Sequence, residues 1–191
     1  MKIRTDFVTN SSSSSFCTIS ISGVKLTEIL KKYKDLLESL EFIDDISVDD
    51  SGFFLCNGED GFCEGPADES SMASSFIELV QELADSGDDS EEFDELIEEL
   101  EENEEEINRT ITFLDWTRCD AGWGGDSESR IWHDYDENFI RRYMGLADDA
   151  EITKEIEADF RDKVADATSL ETTTWHYDGK QFEITEEFEL Q

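Results

Sequence analysis

The sequence predicts an α+β domain with a mainly antiparallel sheet and about four helices, one of them highly acidic. Three observations lead there. Strand-like and helix-like stretches occur in clusters, without the regular strand–helix–strand alternation that builds parallel sheets. Thr172–Tyr177 and Gln181–Leu190 flank Asp178-Gly179-Lys180, and Asp-Gly favours the tight turn of a β-hairpin. Although only 37% of the 191 residues are hydrophobic, 13 Phe, four Trp and four Tyr supply bulk for a core. That aromatic content is foreign to a disordered acidic tail.

Phe16–Ser22 alternates Phe16, Thr18 and Ser20 against Cys17, Ile19 and Ile21 and reads as a strand. Beyond Gly23, Leu26, Ile29, Leu30, Tyr33, Leu37 and Leu40 recur at helical spacing, with Lys31, Lys32 and Lys34 on a solvated face. Phe42–Phe54 has room for one or two short strands around Asp49–Gly52. Asn57–Ser71 is loop-like; its glycines sit among Glu59, Asp60 and Glu64 and no Lys, so it is a turn region and not a phosphate cradle. Met72, Phe76, Leu79, Val80 and Leu83 mark a second helix ending near Gly87. Asp88–Ile107 gives a third, with Phe93, Leu96, Ile97 and Leu100 on one face.

Arg109–Cys119 reads as a strand, interrupted at Gly122–Gly125, with Ser129–Tyr135 as its returning partner. Asp136–Met144 is a short helix closed by Gly145, and Ile152, Ile156, Phe160 and Val164 outline a last helix. In the final strand Phe182, Ile184, Phe188 and Leu190 share one face, and Glu183, Thr185, Glu187 and Glu189 the other. The expected organisation is one domain over 1–191: a Ser-rich arm at 1–15, an acidic helical region at 41–107 and a sheet-rich region at 108–191.

The charge is placed, not spread. Residues 41–107 carry 26 Asp or Glu and no Lys or Arg, whereas residues 1–40 carry six basic and four acidic side chains. The net charge of −36 therefore comes mostly from one window. Such a field repels nucleic acid and anionic membranes and attracts basic surfaces. Halophilic acidity would run along the whole chain, which the mildly basic start does not fit. No apolar run approaches the length of a membrane span, and Met1–Asp6 lacks the apolar stretch of a signal peptide, so a cytoplasmic location is expected.

Glu91–Glu106 holds 11 acids in 16 residues. As a helix it would be about 24 Å long. Duplex DNA carries about 14 negative charges over that length. The similar densities make a nucleic-acid mimic physically reasonable, with carboxylates standing in for phosphates in a basic groove. The apolar stripe would hold the helix to a core and lower the ordering cost of binding. Like charges at neighbour spacing oppose the helix by a few tenths of a kcal/mol per pair. The alternatives are a merely solvated acidic face, or an acidic scaffold without a nuclease partner.

Other constellations point elsewhere and more weakly. Trp132-His133-Asp134-Tyr135 and Trp175-His176-Tyr177-Asp178 echo one another; paired strands would bring two imidazoles together as a metal site or general base, and a shared aromatic sheet face explains the same letters. Cys119-Asp120 with His133 lacks a nucleophile elbow or oxyanion loop. The Asp-rich Asp44–Gly52 stretch fails the calcium-loop pattern: aligning Gly52 on the turn glycine puts Ser47 first and Gly58 where the bidentate Glu belongs. Cys17, Cys56, Cys63 and Cys119 form no Cys-x-x-Cys pair, so reduced thiols without zinc are expected. Trp116 and Trp123 near Arg118 suit an aromatic, partner-facing patch better than single-stranded nucleic acid, because of the net charge.

Met1–Phe16 reads MKIRTDFVTNSSSSSF. This opening resembles that of a scattered group of uncharacterised bacterial proteins, largely clostridial, that begin with a similar FVTNSSSSSF segment. The resemblance covers about 16 of the 191 residues and implies no activity, cofactor or site.

The functional expectation is a non-enzymatic acidic protein that binds a basic protein surface and needs no cofactor or metal. Its sharp form is a nucleic-acid mimic of the kind phages and mobile elements use against restriction or CRISPR nucleases. The candidate contacts are Glu91, Glu92, Asp94, Glu95, Glu98, Glu99, Glu101 and Glu102, with Asp44, Asp45, Asp49 and Asp50 as a second strip. The rival is an enzyme or metal protein centred on the two Trp-His strands.

Overall fold

The computed structural model describes residues 15–58, 64–86, 91–123, 137–165 and 168–190. Its strands are β1 (Phe16–Gly23), β2 (Asp45–Asp49), β3 (Gly52–Asn57), β4 (Ile111–Trp123), β5 (Thr168–Tyr177) and β6 (Phe182–Leu190). Its helices are α1 (Val24–Leu30), α2 (Lys34–Glu38), α3 (Met72–Ser86), α4 (Glu91–Glu102), α5 (Glu104–Thr110), α6 (Glu137–Tyr143) and α7 (Lys154–Ala165). The α+β class is as expected. Seven helices are described against about four anticipated: the five helical stretches traced in the sequence are all present, and two of them are broken.

The first break falls at Lys31–Tyr33, a 3-10 turn between α1 and α2. The second falls at Asn103, whose side chain donates to the Glu99 carbonyl at 2.7 Å and whose own carbonyl accepts from Ile107 N at 2.8 Å. An Asn amide competing for helix carbonyls closes α4 and opens α5. α5 then runs on to Thr110, so the expected strand over Arg109–Cys119 begins two residues late, at Ile111. The expected interruption at Gly122 also shifts, since β4 continues through Trp123. The anticipated strand Ser129–Tyr135 lies outside the described residues, as does the Ser-rich arm before Ser15.

The chain divides into two compact units. The larger comprises Ser14–Cys119 and Thr172–Glu187, and the smaller centres on Asp120–Glu171. The six strands are ordered β2-β3-β1-β4-β5-β6, and β2, β3, β1 and β4 pair antiparallel. In the larger unit Cys17, Ile19 and Ile21 of β1 are buried, and Ile19 stands opposite Leu55 and Trp116. That face packs on the apolar sides of α1, α3, α4 and α5. The alternation forecast for β1 is therefore the division between core and the opposite sheet face.

The opposite face carries Thr18, Ser20, Phe54, Asp115 and Thr117, which are half-buried. Trp175 belongs to the core, while its neighbour His176 meets Phe113 edge-on at 5.9 Å. Consecutive strand residues point to opposite sides of a sheet, so Trp175 and Tyr177 enter the core together while His176 faces the other side; the companion segment Trp132–Tyr135 lies outside the described residues.

In the smaller unit α6 and α7 bury Phe160 and Val164 against Phe139, Ile140, Tyr143 and Met144. Tyr143 meets Phe160 edge-on at 5.5 Å. Arg141 of α6 donates to the Ala150 carbonyl at 2.7 Å and to Asn138 at 3.0 Å, tying the connection back onto the helix.

Gly179 and Gly65 are among the described glycines whose places exclude a larger residue. Gly179, at φ +87°, makes the Asp-Gly turn between β5 and β6. Gly65 lies flat on the core tryptophan, where an added Cβ would fall 2.3 Å from the Trp175 ring. Gly65→Ala is expected to cost about 1–3 kcal/mol through displaced packing, and Leu100→Ala, at a fully buried position, about 2–5 kcal/mol through cavity formation. Urea denaturation checks both, with unchanged midpoints contradicting this packing.

Candidate functional site

The acidic helix α4 buries Phe93, Leu96 and Leu100 and half-buries Ile97. Each full burial contributes about 1.5–3 kcal/mol. Against it stand nine acidic pairs at i,i+3 or i,i+4 spacing within Glu91–Glu102. At about 0.2–0.5 kcal/mol each, that repulsion amounts to roughly 2–4.5 kcal/mol. Burial outweighs repulsion, which is why so charged a segment holds one place. The helix macrodipole helps at the N-terminal end, where Glu91, Glu92 and Asp94 occupy the first turn.

With the stripe turned inward, Glu91, Asp94, Glu95, Glu98 and Glu102 face outward and Glu92 and Glu101 lie on the flanks, all exposed. Among the described residues no Lys or Arg pairs with Glu91, Glu92, Asp94, Glu95, Glu98 or Glu102. Glu101 accepts from Gln81 Nε2 of α3 at 3.2 Å. Glu104, Glu105 and Glu106 prolong the exposed acidic surface along α5.

Glu99 differs from the other candidates. Its carboxylate forms an ion pair with Lys32 and accepts from the Tyr33 hydroxyl at 3.2 Å. These contacts join α4 to the 3-10 turn between α1 and α2. The bond to Lys32 holds the Glu99 carboxyl below the usual range, and the same bond raises the Lys32 ammonium. Burial, helped by the bond to Glu99, pushes the Tyr33 phenol up. Lys31 is paired with Asp50, and Lys34 pairs with Glu38 at 3.3 Å. The solvated lysine face foreseen at Lys31, Lys32 and Lys34 is exposed at Lys31 and Lys32, and all three meet carboxylates.

The second strip does not behave as one surface. Asp44 accepts from Gly58 N at 2.7 Å, joining the open ends of β2 and β3, and Asp49 accepts from Ser51 N at 2.6 Å within the turn that connects them. Lys31 holds the Asp50 carboxyl below its usual range. Asp45 is exposed at the start of β2.

Sequence reasoning missed the polar fastening beneath the acidic helices. Asn108 of α5 accepts from Ala73 N at 3.0 Å and donates to the Glu69 carbonyl at 3.1 Å, so it caps α3 from another helix. Asp68 starts the preceding turn by accepting from Ser70 N at 2.8 Å. Tyr177 donates to Glu69 at 3.2 Å. The Asp68 and Ser71 letters give the capping signal in advance; the role of Asn108 depends on tertiary placement.

On the other sheet face, burial pushes the Asp115 carboxyl up, and His176 opposes that shift. The remaining histidine, His133, lies outside the described residues. Cys17, Cys56 and Cys119 are free and buried, and burial raises the Cys56 thiol. No helix among the described residues is long and apolar enough to cross a membrane.

The Glu99–Lys32 bond has a defined pH signature. A depressed native Glu pKa contributes stability that is complete above the ordinary Glu value, about 4.3, and is lost as pH falls through the native value. The raised Lys32 value contributes below the ordinary Lys range and is lost as pH rises through it. Lys32→Met is expected to be less stable than the parent at neutral pH, with the difference vanishing in acid. Urea midpoints measured from pH 7 to pH 3 test this, and a pH-independent difference contradicts it.

No protein-family profile, curated protein or solved structure matches the chain.

Proposed function

We propose that this protein is a non-enzymatic binding protein in which α4 presents carboxylates to the basic groove of a DNA- or RNA-binding protein, excluding the nucleic acid that normally lies there. The observation that supports this reading is the division of α4: its apolar side is sunk in the core, and its outward acids lack a basic partner among the described residues. A display already held in place loses less entropy on binding than a flexible acidic tail. Glu99 acts in this scheme as a positioning residue, fixing the helix, while Glu91, Asp94, Glu95, Glu98 and Glu102 form the contact row. Association through such a row is fast and weakens with salt. An inhibitor of restriction or CRISPR nucleases is one form this activity would take.

The decisive variant replaces Glu91, Glu95, Glu98 and Glu102 together by Lys, all outside the core. A nucleic-acid-binding protein retained by the wild type is expected to be released by its own nucleic acid and to bind the variant at least tenfold more weakly, with the circular dichroism spectrum unchanged. Retention that nucleic acid cannot displace, or equal affinity in the variant, contradicts the mimicry.

A further inference from the structure

We propose that the outer edge of β6 takes up an extended Lys- or Arg-rich segment of a partner protein as an added strand. The two outermost strands of the sheet are β2 and β6, and they are treated differently. At β2 the Glu38 carboxylate accepts from Val48 N at 3.1 Å, occupying a main-chain donor of the edge, and α2 lies alongside. Along Phe182–Glu187 no strand lies outside β6 among the described residues. The segment FEITEE contains no Pro and no Lys, so its edge is guarded only by the negative charge of Glu183, Glu186 and Glu187, a guard that a basic strand would neutralise.

The turn determines which backbone groups face outward. Asp178 N donates to the Gln181 carbonyl at 3.4 Å, closing the hairpin beside Gly179 and Lys180. Antiparallel pairing alternates from that bond. Glu183 and Thr185 therefore turn their N–H groups toward β5, and Phe182, Ile184 and Glu186 turn theirs away. An incoming strand would meet about 20 Å of edge over these six residues, the reach of a short recognition segment.

Charge selects the occupant. Glu183, Glu186 and Glu187 are exposed, and Ile184 is 46% exposed. A second copy pairing here would set glutamates against glutamates, which is unfavourable across a strand pair. A segment alternating Lys or Arg with apolar or Thr residues would match both the carboxylates and Ile184. This edge stands apart from α4, so its failure would leave the α4 reading intact.

The probe is an alternating Lys–Thr heptapeptide with a Glu–Thr peptide as control, followed by amide exchange on the full chain. In the free protein the Ile184 and Glu186 amides are expected to exchange quickly, and saturating Lys–Thr peptide to slow both at least tenfold. The Glu–Thr peptide should have no effect. Ile184→Pro, which removes an outward N–H, should weaken binding at least tenfold, whereas the fourfold Lys variant of α4 should retain protection at β6. Protection of these amides before peptide is added, protection that rises with protein concentration alone, or slowing confined to α4 would each overturn the proposal. The exchange measurement on the unmutated chain decides the question even if the proline variant fails to fold.

Discussion

Burial of one side of α4 is the interaction on which the rest of the larger unit depends. Phe93, Leu96 and Leu100 connect the most charged segment of the chain to the same core that covers the sheet. Without that burial, repulsion among carboxylates would favour an expanded, solvated chain. With it, repulsion becomes a tolerated cost, and the charge acquires a fixed geometry. The apolar stripe and the acidic face are thus two halves of one device.

Polar contacts refine what burial establishes. Lys32 and Tyr33 hold Glu99 from the α1–α2 side, and Asn108 joins the start of α3 to α5. Exposed ion pairs contribute little individually, so their effect lies mainly in register and orientation. The basic residues near the N-terminal end of the chain also find a purpose here. Lys31 and Lys32 pair with carboxylates that approach α1, while the outward row of α4 has no basic partner among the described residues.

Much of the fold was legible in the sequence because periodicity reports burial directly. The alternation in β1, the stripe of α3 and the Asp-Gly turn all survive in the structure at the expected residues. Boundaries were less legible. Whether Asn103 would break a helix depended on its amide finding the Glu99 carbonyl, and Arg109–Thr110 lie in α5 although Thr110 and Ile111 favour strands. At the candidate site, exposure followed from the stripe for most acids. Glu99 was indistinguishable from its neighbours in the sequence, since its partner lies 67 positions away. The Asp44–Asp50 strip looked uniform as letters, yet Asp44 ties two strand ends, Asp49 holds a turn, Asp50 meets Lys31 and Asp45 is simply exposed.

The junction between α5 and β4 carries a dynamic consequence. Thr110 ends the helix and Ile111 begins the strand, with no linker to absorb movement. Ile111, Leu114 and Trp116 are all embedded in the core, so α5 is the direct extension of a central strand. Local opening of proteins proceeds in contiguous cooperative units. The helix and the strand therefore belong to one such unit, and fraying of the acidic surface at α5 is resisted by the sheet itself. Any load placed on that surface is passed directly to a strand in the middle of the sheet.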